Sequence, residues 1–175
     1  GGEIIPNIVK AIPELRDGDE KDIPVPTHCP VCGSPVIKET GEVAIRCPNV
    51  RCLAQVKERI IHFASKNAMD IEGLGEIWVN IFVDNGLLSD YGDIYYLKYE
   101  DIIKLERMGD RSVKNLLKAI EESKSRPFSR LIFALGIRHI GTHASEILAE
   151  NFSSIDELSK GTVDQFCSIP EIGPT

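Results

Sequence analysis

No run of about eighteen apolar residues occurs in this chain, so no membrane-spanning helix is expected. Its first residues lack the charged-then-apolar form of a secretory leader, and a reducing, cytoplasmic setting is expected. No Ser/His/Asp set, paired-carboxylate site or phosphate loop stands out. Gly73-x-Gly75 lacks both the preceding strand and the third glycine of a dinucleotide fingerprint. Positive charge is scarce as well: 20 Lys and Arg face 27 Asp and Glu, a net charge of −7. That balance ordinarily argues against a nucleic-acid partner.

The charge is unevenly placed, however. From Ile103 to His143 there are nine Lys/Arg (Lys104, Arg107, Arg111, Lys114, Lys118, Lys124, Arg126, Arg130, Arg138). Against them stand Glu106, Asp110, Glu121 and Glu122, so nine less four leaves this window at +5 and the rest at −12. Such a dipole can hold a phosphate backbone on one face. Solvated helix faces would account for many of the same residues.

Cysteine, by contrast, is present at ligand spacing. Cys29, Cys32, Cys47 and Cys52 form C-x2-C-x14-C-x4-C. Pairs of thiolates two to four residues apart can converge on a tetrahedral Zn2+. Gly33 lets the backbone fold back beneath the metal. Pro35–Lys38 and Glu42–Arg46 flank a Thr40-Gly41 turn and predict a short β-hairpin joining the two cysteine pairs. Disulfides fit less well, because the five cysteines are odd in number. A redox C-x-x-C would need one pair near a βαβ pattern, not two pairs. His28 could also ligate, but four thiolates already close the shell, and a closed shell is structural. Cys167, beside Phe166 and Ile169, is expected to be a small buried hydrophobe.

Residues 13–26 are polar and Pro-containing, a linker, and 27–53 is the zinc module. From Ala54 the apolar spacing turns helical, with Val56, Ile60, Ile61 and Phe63 on one stripe. Helices are expected near 54–65, 75–85, 99–105, 110–123, 127–135, 142–152, 155–160 and 163–168. Trp78, Val79 and Phe82 are expected to pack in the core, and His62 to be half-buried.

A repeat runs through these helices. Ile71-Glu72-Gly73-Leu74-Gly75, Leu105-Glu106-Arg107-Met108-Gly109, Ile137-Arg138-His139-Ile140-Gly141 and Ile169-Pro170-Glu171-Ile172-Gly173 share the frame apolar-x-x-apolar-Gly. Their last glycines are spaced by 34, 32 and 32 residues. Tetratricopeptide and ankyrin arrays have similar periods, but their signatures are absent. The pattern describes helix–hairpin–helix (HhH) units whose glycines permit positive φ and leave amides uncovered. Those amides, with the first-turn N–H groups of the next helix, suit a phosphate. Gly73, Gly75, Arg107, Gly109, Arg111, Arg138, His139 and Gly141 are therefore candidate contacts to duplex DNA. Contacts to phosphate alone would be sequence-independent. The alternative is that the glycines merely permit tight turns in a helical bundle. The two glycines of the first hairpin favour DNA, and basic residues keep phosphate contact open at the second and third. At the fourth, with its Pro170 and Glu171, the structural reading is at least even.

Several stretches resemble the bacterial NAD-dependent DNA ligases. They are Cys29-Pro30-Val31-Cys32-Gly33, Ala68 to Gly75, and Leu105 to Gly109 with Ser112, Asn115-Leu116-Leu117 and Ala119-Ile120-Glu121. Phe133 to Arg138 and Gly141 match too. The resemblance implies a mainly α fold: a four-cysteine zinc finger with a small β-hairpin, then an all-α HhH repeat domain over 54–175 with its fourth hairpin truncated. Residues 1–12 would be the end of a truncated OB fold, Gly2-Glu3-Ile4-Ile5-Pro6 resembling its last strand. The implied parent is a bacterial, cytoplasmic enzyme of DNA replication and repair that uses NAD and Mg2+ to seal nicked duplex DNA. Its K-x-D-G adenylation lysine is absent here, as are its adenylation domain, most of the OB fold and the BRCT domain. This piece is expected to bind structural Zn2+ and nicked duplex DNA but not NAD or Mg2+, to be inactive alone, and to be a monomer with those missing domains as partners. The alternatives are a stand-alone DNA-binding module and a zinc-capped helical protein-interaction array.

Overall fold

The computed structural model describes residues 9–21 and 23–173. The strand expected over 1–12 falls mostly on residues outside that set, and residues 9–12 take no regular structure. Pro13–Leu15 form one exposed 3-10 turn.

The zinc module is a two-stranded antiparallel hairpin, β1 (Ile37–Lys38) on β2 (Ile45–Arg46), with Ile37 opposite Arg46 and Lys38 opposite Ile45. The ladder is shorter than the sequence suggests. Its connection already closes at Glu39, whose carbonyl accepts from the Glu42 amide at 3.0 Å. All four strand residues are exposed, so no apolar core holds this hairpin. So short a ladder, without core, depends on the cysteines to tie it down.

Cys52 joins the two halves of the chain. It is both the last cysteine of the motif and the cap residue of α1 (Leu53–Ala64). The helices then run α2 (Glu76–Asp84), α3 (Tyr99–Ile102), α4 (Asp110–Ser123), α5 (Phe128–Ala134), α6 (Thr142–Asn151), α7 (Ile155–Ser159) and α8 (Val163–Cys167). Their bounds follow the sequence expectation to within about three residues, because apolar periodicity and turn residues punctuate each one. An unexpected 3-10 helix spans Tyr91–Tyr96, fixed by reciprocal capping between Asp90 and Asp93. It stacks Tyr91 flat on Phe63, with ring centres 4.9 Å apart.

The helices enclose two apolar clusters. The larger, between α1, α2, α4 and the 3-10 helix, centres on Ile60, Phe63, Val79, Phe82, Ile94, Ile102 and Val113. The smaller contains Ile132, Leu148, Phe152, Leu158 and Ile169. Helix α5 is the joint: Leu131, Phe133 and Ala134 face the first cluster while Phe128 and Ile132 face the second. Each fully buried large side chain contributes about 1.5–3 kcal/mol, so the larger cluster carries most of the stability. Half-buried His62 closes the joint by placing Nε2 2.8 Å from the Phe133 carbonyl.

Trp78 is only partly buried, against the rim of the first cluster. The expectation for Cys167 fails, since the residue is exposed. Helix α8 faces inward through Phe166, whose ring lies 5.3 Å from that of Phe152. The next residue is turned about 100° away from that face.

Candidate metal centre and nucleic-acid interface

The four cysteines of the motif converge as predicted. Their sulfurs all lie within 4.8 Å of one another, with Cys29 and Cys52 buried and Cys32 and Cys47 half-buried. Cys29–Cys52 and Cys32–Cys47 are separated by 3.8 and 3.5 Å, which excludes disulfides. Four Zn–S bonds of about 2.3 Å place tetrahedral sulfurs about 3.8 Å apart, so the cage fits zinc. The backbone is already shaped for it: the Cys29 amide donates to Ser34 O at 2.8 Å and the Gly33 amide to Cys29 O at 2.9 Å, with Gly33 at φ +69. Hydrogen bonds from Ser34 draw the Cys32 thiol down to about 6. The Asn49 amide would lower Cys47 likewise, but burial and the neighbouring sulfurs push it up to about 12. Four thiolates around one Zn2+ leave no open position, so the zinc is structural. His28 is exposed and bonded to Thr27, outside the cage.

The four hairpins share one backbone design. In each, the amide of the second apolar residue donates to the carbonyl of the first: Leu74 to Ile71 at 3.2 Å, Met108 to Leu105 at 3.2 Å, Ile140 to Ile137 at 3.0 Å and Ile172 to Ile169 at 3.2 Å. The second of the two residues between them is left-handed every time, at φ +90 for Gly73, +68 for Arg107, +67 for His139 and +69 for Glu171. Only one of these four is glycine, so three hairpins hold an L side chain where it costs about 1–3 kcal/mol. Buried Ile71, Leu74, Met108 and Ile169 anchor the first, second and fourth turns, whereas at the third Ile137 is exposed and Ile140 only half-buried.

The frame's last glycine has another role than expected. Gly75, Gly109 and Gly141 have φ of −82, −86 and −85, which any residue can adopt. A Cβ on any of them would meet nothing within 4 Å. Neither strain nor packing within the chain calls for glycine there, and the freed space lies above the N-termini of α2, α4 and α6. No side chain caps these three helices. Helices α7 and α8 are capped by Ser154 and Thr162, whereas α1, α3 and α5, which follow none of the four hairpins either, also have no side-chain cap. What sets α2, α4 and α6 apart is the glycine at the cap with clear space over it, which leaves first-turn amides open, an arrangement that accepts anions. Glu76 and Asp110 lie in the first turns of α2 and α4 and oppose this, whereas α6 has no acid there. Lys114 at 3.0 Å and the Tyr99 hydroxyl at 2.8 Å partly neutralise Asp110 and hold its carboxyl below the ordinary range.

The basic residues divide more sharply than counting suggests. Among the described residues, only Arg107 and Arg111 of the nine are outside any internal salt bridge or backbone clasp, and both are exposed at the second hairpin. Arg126 reaches Asp70 at 2.8 Å, while Arg130 donates to the carbonyls of Ala68 and Lys66, so both brace the entry to the first hairpin. Arg138 is bonded to Glu39 at 2.7 Å and also to Glu42. His139 is exposed at its tip. His143, two residues beyond Gly141 as Arg111 is beyond Gly109, pairs with Glu171 at 2.8 Å. Sequence reasoning passed over His143, although the repeat frame itself locates it.

Residues 28–54 match the NAD-dependent DNA ligase C4 zinc finger domain, and residues 130–175 match the helix-hairpin-helix motif. The chain carries a zinc finger like that of the NAD-dependent DNA ligases and a helix-hairpin-helix region. It is 49% identical over 173 residues to a DNA ligase of Geotalea uraniireducens, covering 99% of this chain and 26% of that protein. A DNA ligase of a Thermoanaerobacter species is 50% identical over the same length, again 26% of that protein. One from Thermomicrobium roseum is 49% identical, with 25% of it covered. The chain therefore spans about a quarter of the length of the curated relatives it matches. The zinc cage, Cys29 to Cys52, lies wholly inside the matched zinc finger. The third and fourth hairpins lie inside the matched helix-hairpin-helix region. No described helix is long and apolar enough to cross a membrane.

Proposed function

We propose that this chain grips duplex DNA for an NAD-dependent ligase, the hairpins seating backbone phosphates on their open amides and the zinc finger fixing the hinge before α1. The observation that carries this is the set of glycines at Gly75, Gly109 and Gly141. They relieve no strain and avoid no internal contact, yet they keep the space above three helix N-termini clear. A ligand backbone approaching those amides needs that space.

Phosphate recognition of this kind is sequence-independent, and free Arg107 and Arg111 make the second hairpin its strongest electrostatic element. The duplex is nicked in the parent reaction, where NAD supplies the adenylate that activates a 5′ phosphate. This chain has no K-x-D-G lysine to accept AMP, so it forms no covalent adenylate and seals nothing alone. It acts as a monomer beside the parent's adenylation, OB and BRCT domains, in a bacterial cytoplasm.

The test is binding of a nicked duplex of about 20 base pairs across a salt series. Affinity should be equal for unrelated sequences, and log K should fall linearly with log salt. Binding that is absent at low salt, or indifferent to salt, would favour a protein-interaction array instead. Incubation with NAD and Mg2+ should add no mass of one AMP.

A further inference from the structure

Arg138 sits at the second position of the third hairpin, one residue before the left-handed tip at His139. Its guanidinium points away from that tip, to the zinc finger. It donates to Glu39 at 2.7 Å and also pairs with Glu42, the two acids bracketing the Thr40-Gly41 turn. Ninety-nine residues separate Arg138 from Glu39 along the chain. Among the described residues this is the only salt bridge between the zinc module and the helical domain. All three partners keep access to water, with Arg138 41% and Glu39 50% exposed.

Each carboxylate presents to the guanidinium two oxygens sharing one negative charge, as the non-bridging oxygens of a phosphodiester do. An exposed pair of this kind is weak, so a phosphate can displace it. Resting on the reading of the hairpins as duplex-binding, we infer that Arg138 is an exchange residue. In the free chain it latches the zinc turn onto the third hairpin; on the bound duplex it passes to a backbone phosphate, releasing Glu39 and Glu42. The zinc finger thereby competes with DNA for this arginine. The second hairpin, whose Arg107 and Arg111 are free, engages phosphate without such competition.

The test is a thermodynamic cycle on the whole 175-residue chain, with the nicked duplex as probe and zinc content checked by elemental analysis. Glu39 is the clean position, because Glu42 also contacts Arg46 at 3.5 Å. Glu39→Gln should raise duplex affinity about two- to fivefold, the range an exposed pair supports. Glu39→Gln with Glu42→Gln should raise it further. In an Arg138→Gln background the same changes should give no gain. A gain that persists without Arg138 would overturn the inference, since simple relief of negative charge would then explain it. No gain in a wild-type chain that binds duplex normally would overturn it too. A wild-type chain that fails to bind duplex would overturn the function proposed above, and the exchange with it.

Discussion

Hairpins one and two close on a core that includes Phe63, Phe82, Ile94 and Ile102, whereas hairpins three and four close on Ile132, Leu148, Phe152, Leu158 and Ile169. Their tips differ as much: Gly73 and Arg107 in the first pair, His139 and Glu171 in the second. Yet the turn hydrogen bond and the left-handed residue recur in all four. The comparison separates what builds a hairpin from what a hairpin binds with. The turn hydrogen bond and the left-handed residue define the backbone in all four, with a buried apolar anchor in three of them, and tip chemistry is free to vary. In the first pair Arg107 and Arg111 of the second hairpin are unengaged, while in the second pair Arg138 and His143 already have acidic partners. We therefore expect the first pair to dominate the grip and the second to adjust it.

The largest effect should come from the metal, which reaches the two pairs differently. Chelation, or Cys47→Ser, should release one zinc ion per chain and unfold residues 27–52, because that segment has no core of its own. The second pair loses the partners of Arg138, while the first pair keeps its packing. Hydrogen exchange should show the zinc module losing protection while α4 and α6 retain theirs. Loss of protection in α4 would mean that the zinc finger, through Cys52 and α1, holds up the first core as well.

Next in size is the separation of the cores. Ile132 is fully buried in the small cluster, and Ile132→Ala should cost about 2–5 kcal/mol. That cost should fall on α6 to α8, detectable as lost amide protection there while α4 stays protected. Equal loss in α4 would show that α5 couples both clusters into one cooperative unit and erase the distinction drawn here.

Much of this architecture was legible beforehand. The cysteine spacing gave the cage, and the repeat frame gave all four hairpins, because both are local patterns. Residues that meet across long separations were not legible. Arg138 reads as a phosphate contact until Glu39 is found beside it. Arg126 and Arg130 read as surface charge until the loop at 66–70 closes on them. The division of the core is hidden too, because α5 is a single apolar stripe whose two sides face different partners. The capping pair Asp90 and Asp93 was readable in principle as an acidic helix-start signature. It was missed because a 3-10 turn lacks the 3.6-residue apolar period.

At the first hairpin, Gly73 has φ +90, and a Cβ added there would lie 3.8 Å from Leu116 Cδ1. A β-branched side chain there is strained by about 1–3 kcal/mol. Gly73→Val should lower duplex affinity at least tenfold at constant salt, with circular dichroism confirming that the helices survive. At the second hairpin, Arg107→Ala should weaken binding to all sequences alike and flatten the salt slope by about one. If both changes leave binding intact, the first pair is not the principal grip.

The smallest effect separates charge from conformation. Arg107 occupies a left-handed position, φ +68, that glycine adopts without strain. Arg107→Gly and Arg107→Ala both delete the guanidinium, so their losses in duplex affinity and salt slope should agree within a factor of about two. Their stabilities should not agree. Alanine keeps the Cβ that disfavours this backbone, whereas glycine removes it, for a difference of about 1 kcal/mol in favour of glycine. In a chain of this size that is a rise in Tm of about 2–4 °C over the alanine variant. Equal melting temperatures would mean that the hairpin relaxes its tip when the arginine is gone. A glycine variant that binds duplex as tightly as wild type would mean that the second hairpin contributes backbone amides alone, and the contrast in free arginines between the two pairs would lose its functional weight.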